Sequence, residues 1–112
     1  MLRNYIAALI LLVTLSASAE TERYYQELWC KGEVEVILED NSRVDCLTSV
    51  EAVEVDFARK WAESIGQSLL YARLTGKAPA VLLIVDDKSA KYLARFHNAT
   101  QNIPIKLYVI EE

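Results

Sequence analysis

The chain has 112 residues, 53% of them hydrophobic and 25% charged, with three glycines and two prolines. That composition excludes a disordered or collagen-like chain, and the length excludes two domains of ordinary size. A formal net charge of −4 gives no general pull toward nucleic acid or anionic membrane, so a polyanionic partner needs a local basic patch or a bound metal ion.

Residues 1–19 (MLRNYIAALILLVTLSASA) carry one early cation, Arg3, an apolar run from Tyr5 to Leu15, and small residues at Ala17 and Ala19. This is the pattern of a secretory signal peptide with an Ala-x-Ala cleavage site, leaving Glu20 first and one domain over 20–112. The competing reading is a membrane anchor. A spanning helix needs about 20 apolar residues, and Ser16, Ser18 and Glu20 favour cleavage, with no stable membrane insertion afterwards and a periplasmic or secreted destination. Loss of Arg3 makes the remaining chain one unit more negative.

Tyr24, Tyr25, Leu28 and Trp29 within TERYYQELWC have helical spacing, and Gly32 stops the helix. Glu33, Glu35 alternate with Val34, Val36 as a half-buried strand, Glu39–Ser42 forms a polar turn, and Arg43–Leu47 returns as its antiparallel partner. After a loop at Thr48–Glu51, AVEVDF reads as a third strand. Val53, Val55 and Phe57 share one face, which puts Glu54 and Asp56 on the other, about 7 Å apart. Ala58 to Thr75 switches to helical period, with Ala58, Trp61, Ala62, Ile65, Leu69 and Ala72 as its apolar face and Gly76 as C-cap. The continuous apolar run AVLLIV after Pro79 fits a central parallel strand covered on both sides. A helix over Ser89–Ala99, with Tyr92, Leu93 and Phe96 inward, and a strand over Ile105–Ile110 complete an αβββαβαβ order. The expectation is one α/β domain in which an antiparallel hairpin feeds a mixed sheet.

Cys30 and Cys46 in an exported chain suggest one disulfide, with two buried free thiols as the alternative. Cys46 is expected to pair near Glu35 in the hairpin, several residues from Cys30. Bridging therefore requires the chain before Gly32 to fold back until the two α-carbons are within about 7 Å.

The chemistry-bearing residues concentrate between Arg43 and Tyr71. Asp45 lies on the second strand, Glu54 and Asp56 on the third, and Lys60 and Gln67 on the helix after it. At 100° per residue, Lys60, Gln67 and Tyr71 fall within about 20° of one line on that helix. Carboxylates from adjacent strands suit Mg²⁺ or Mn²⁺, which take oxygen ligands and activate water against a phosphodiester. The alternative is a solvated strand face with Lys60 as a surface ion-pair partner, worth at most about 1 kcal/mol.

The layout and these residues together resemble the PD-(D/E)XK nuclease superfamily, the restriction-endonuclease-like fold shared with Holliday-junction resolvases. In that resemblance Asp45 matches the first acidic residue and Glu54 the second. Gln67 and Tyr71 are similar to the glutamine–tyrosine signature of the RecB-like branch. Glu27, on the helix before the first strand, matches an extra acidic residue that some members carry. Asp56 stands where the family has lysine, and Lys60, four residues on, is positioned to supply the ammonium instead. The resemblance implies Asp45, Glu54 and Asp56 as metal ligands with Glu27 beside them, Lys60 and Gln67 as catalytic groups, and nucleic acid as substrate. The competing function is an envelope binding module that keeps the fold without the chemistry. Elsewhere the signals are weak: His97 reads as a surface or capping residue, Trp29 and Trp61 as core. One histidine and two cysteines do not make a standard zinc site, and Asn98–Thr100 is a glycosylation sequon only in a eukaryotic secretory route.

Overall fold

A computed structural model describes residues 20–112, and the expected signal peptide at 1–19 lies outside the described residues. The elements follow as α1 (Glu22–Trp29), β1 (Glu33–Ile37), β2 (Arg43–Leu47), β3 (Glu51–Phe57), a 3₁₀ turn (Ala58–Lys60), α2 (Trp61–Thr75), β4 (Ala78–Val85), α3 (Ala90–Ala99) and β5 (Lys106–Glu111). The five strands form one mixed sheet in the order β1-β2-β3-β4-β5. β1, β2 and β3 pair antiparallel, while β3, β4 and β5 run parallel. The expected single α/β domain, with three helices on a mixed sheet, is the one observed. Among the described residues no helix is long and apolar enough to cross a membrane.

Local chemistry accounts for the boundaries. Thr21 caps α1 through its hydroxyl, which accepts the Tyr24 N–H. In the β1–β2 turn Asn41 takes φ 72°, a left-handed conformation that asparagine tolerates, and Asp40 accepts the Ser42 N–H at 2.9 Å. Gly76 ends α2 at φ 73°. β4 is buried from Ala80 to Val85 because α1 covers one face of the sheet and α2 and α3 the other. Val53, Val55, Leu82 and Ile84 pack with Tyr25 on the first face, and Val81, Leu83 and Phe96 with Ala58 on the second.

The inner face of α2 differs from the hydrophobic pattern. Ser64, Ser68 and Tyr71 are buried, whereas Ala62, Leu69, Leu70 and Leu74 are exposed. Two small residues let the helix lie close on β3 and β4, and each serine hydroxyl is satisfied within the helix. Ser64 donates to the Trp61 carbonyl at 2.6 Å and Ser68 to that of Ile65 at 3.0 Å. A buried hydroxyl that is already hydrogen-bonded costs little, so close packing overrides the leucine pattern.

Cys30 and Cys46 form a disulfide, with α-carbons 5.7 Å apart. Two features bring them together. Cys46 pairs with Val34, one residue closer to Cys30 than expected. Gly32 lets the returning chain press against β2, where a β-carbon would collide with the Leu47 carbonyl. The bond ties the end of α1 to the strand position beside Asp45.

Candidate functional site

β2 and β3 pair only through Cys46–Val53 and Leu47–Ala52. Continuing that register would set Asp45 against Glu54, but there the ladder stops. The Asp45 carboxylate enters instead and accepts the Val55 N–H at 2.7 Å, satisfying a donor that would otherwise bond across the sheet. Side-chain alternation along β2 breaks at the same point, since Val44 packs with Ala52 and Tyr71 while Cys46 packs on the opposite face. Glu35, which the β1–β2 register sets across from Asp45, has φ 55°. A left-handed conformation at a non-glycine residue stores about 1–3 kcal/mol and tends to collect at functional positions.

The opened ladder forms one end of a hollow of about 470 Å³. Glu54 and Asp56 enter from β3, Lys60 from the 3₁₀ turn, and Gln67 and Tyr71 from α2, with Asp45 and Arg43 from β2. The sequence-derived set Asp45, Glu54, Asp56, Lys60 and Gln67 thus shares one cavity on one face of the sheet. Glu27 does not join it. That side chain is exposed and bonds Arg23 at 2.8 Å. The acidic residue that α1 contributes is Glu22, five positions earlier and about 140° around the helix. Glu22 accepts the Lys60 ammonium at 3.5 Å. An acidic residue in the first helical turn is common for reasons of dipole and capping, so local pattern offers no reason to prefer it; only the docking of α1 reveals its role.

Glu54 and Asp56 are 5% and 4% exposed, an unusual condition for carboxylates. Burial pushes the Glu54 carboxyl up to about 11, reinforced by its hydrogen bond to Asp45 and by the charges of Asp45 and Asp56. Asp56 is pushed up to about 7, first by burial and then by Glu22, against the pull of Lys60 and of the Phe57 N–H that donates to it at 3.1 Å. Asp45 is also raised by burial, while its bonds to Glu54 and the Val55 N–H oppose the shift. Tyr71 rises to about 12 through burial and the neighbouring Glu54 and Asp45 charges, which keeps its phenol a hydrogen-bond donor. The carboxyls therefore fall into two contacting pairs, Asp45 with Glu54 and Asp56 with Glu22, each able to share a proton.

This donor set is chemically suited to a hard divalent cation. Among the described residues no three acidic, histidine or cysteine side chains close on one point. Magnesium does not require such a cage: it is commonly held by one or two carboxylates, with waters and a substrate phosphate completing the shell. Asp45 and Glu54 are the two carboxyls that would serve as such ligands, with Asp56 on the same strand as Glu54. The chain matches no family model, no curated protein and no solved structure.

Proposed function

We propose that the hollow is a divalent-cation-dependent phosphodiester-hydrolysing site of the PD-(D/E)XK type in an exported protein, with DNA as its substrate. The observation that carries this reading is the interrupted β2–β3 ladder, which leaves Asp45 and Glu54 side by side in a cavity that also contains Asp56, Lys60, Gln67 and Tyr71. The strand–strand–helix layout, which resembles that of the restriction-endonuclease-like fold, supports the same reading, and the disulfide suits the oxidising compartment of an exported chain.

Asp45 and Glu54 would hold Mg²⁺ or Mn²⁺, with Asp56 as a further oxygen donor. A cation held there would supply Lewis-acid chemistry, lowering the pKa of a water and polarising a phosphoryl oxygen. Lys60, between Glu22 and Asp56, offers its ammonium to the charge that grows on the phosphate. The Gln67 amide orients the attacking water by hydrogen bonding, and Tyr71 donates its phenolic hydrogen within the same cavity. Glu22 holds Lys60 in place through their 3.5 Å contact.

Hydrolysis of a small activated phosphodiester and of DNA, with Mg²⁺ or Mn²⁺ against EDTA, tests the proposal. Lys60→Ala should lower kcat by about a hundredfold or more. Equal rates in wild type, Lys60→Ala and Glu54→Ala would assign any cleavage to a contaminant and refute the reading. A second reading, a binding module without chemistry, draws on the engagement of Lys60 by the Glu22 carboxylate. Cation-dependent DNA binding without turnover on either substrate would favour it.

A further inference from the structure

An acidic protein that handles DNA must concentrate positive charge somewhere, and the hollow already described is lined mainly by carboxylates. A second, smaller hollow of about 180 Å³ lies at the carboxyl ends of the parallel strands β3 and β4. Two residues, Phe57 and Ala58, separate Asp56 of the first hollow from Arg59 of the second along the chain. Arg59 faces the second hollow from the 3₁₀ turn, Lys88 from the turn between β4 and α3, and Lys91 from the start of α3.

These three cations differ from the other strongly engaged ones. The ion pairs among the described residues use Arg23, Arg43 and Lys60, and none includes Arg59, Lys88 or Lys91. Two of them rest on aromatic rings: the Arg59 guanidinium lies 4.8 Å from the centre of the Phe57 ring and the Lys91 ammonium 5.1 Å from that of Tyr92. A ring face orients a cation without neutralising it. Of the two acidic residues at this hollow, Asp86 is occupied locally. It accepts the Lys88 N–H and the Ser89 hydroxyl, each at 2.9 Å. That contact also turns Ser89 away from capping, so α3 begins without a side-chain cap. Asp86 stays ionised, its pKa held down by those two donors and by the Lys88 charge, so three cations face the two carboxylates of Asp86 and Glu112. The carboxyl ends of parallel strands are where open α/β sheets usually receive ligands.

We propose that the Arg59–Lys88–Lys91 hollow holds a backbone phosphate of the DNA whose scissile phosphate enters the Asp45–Glu54 cavity. The inference rests on the hydrolytic reading for its ligand class. The contact carries no base information; it fixes the register of the strand.

Fluorescence anisotropy of a labelled 16-base-pair duplex, titrated with the purified protein in Ca²⁺ at several salt concentrations, tests it. Neutralising one phosphate contact contributes about 0.9 to the slope of log Kobs against log salt. The triple variant Arg59→Gln/Lys88→Gln/Lys91→Gln should lose about that much slope and bind at least tenfold more weakly at low salt. Glu112→Gln should bind more tightly than wild type. Lys106→Gln, at the start of β5 opposite Ala80 and so at the other end of the sheet, is the control and should leave the slope unchanged. A triple variant with wild-type slope and affinity overturns the proposal, as does a wild-type protein that fails to bind the duplex. Because the readout is binding, it is separable from the catalytic reading: a wild-type protein that binds with the expected slope dependence but hydrolyses no small diester leaves this phosphate site standing and refutes the chemistry.

Discussion

Replacing Glu54 by glutamine removes the most strongly perturbed carboxyl in the protein while keeping its shape. Glu54 is 5% exposed and pushed up to about 11, chiefly by burial and then by contact with Asp45. In the unfolded chain the same group titrates in the ordinary carboxylate range, near 4.5. The folded protein therefore keeps a proton that the unfolded chain has already released. The associated stability is complete below the unfolded pKa and is lost as the pH climbs toward the folded value. Each pH unit in that window costs about 1.4 kcal/mol, so holding this proton costs up to about 5 kcal/mol by pH 8. Asp56, pushed up to about 7, acts in the same sense below neutrality. Against a typical domain stability of about 5–15 kcal/mol, the wild-type protein should be markedly weaker at pH 8 than at pH 5 when cations are chelated. Glu54→Gln should be more stable than wild type at pH 8 by at least about 2 kcal/mol and nearly equal to it at pH 5. Urea unfolding in EDTA, followed by tryptophan fluorescence across this pH range, measures both. Wild-type stability that stays level or rises from pH 5 to pH 8, or a Glu54→Gln effect independent of pH, would refute the account of a buried carboxyl retaining its proton.

Opening the Cys30–Cys46 bond, which spans 16 positions, should lower stability by about 3 kcal/mol; urea midpoints with and without reductant report it, and an unchanged midpoint would contradict a cross-link that constrains the unfolded chain. Asp45→Ala strands the Val55 N–H, whereas Asp45→Asn keeps an acceptor there, so the alanine variant should be less stable than the asparagine variant by about 1–3 kcal/mol in chemical denaturation. Gly66 sits inside α2 with open space around the position of an added β-carbon; Gly66→Ala should raise stability by about 0.5–1 kcal/mol through helix propensity alone, and a loss would mean that this face is not free.

The periodicities placed the five strands and the three helices, because strand alternation and helical spacing are local, but they began the second helix at Ala58, where a 3₁₀ turn over Ala58–Lys60 precedes α2. They also placed Asp45, Glu54 and Asp56 on strands and Gln67 on the following helix, and although Lys60 belongs to the 3₁₀ turn rather than to that helix, this was enough to expect the five together. The inner face of α2 was not legible in this way. Its leucines outrank its serines in hydrophobicity, and only close packing on the sheet, with each hydroxyl bonded inside the helix, reverses that order. Glu27 and Glu22 are likewise equivalent in sequence, and the docking of α1, anchored by the disulfide and the Gly32 approach, decides between them. What the sequence determined by itself was the order of elements and the side of β3 on which the acids stand, since both follow from the backbone's own repeat. The interruption of the β2–β3 ladder, the burial that shifts the carboxyls, and the gathering of Arg59, Lys88 and Lys91 at one strand end were decided only by the tertiary structure. They depend on which distant segments meet, and no local period encodes that.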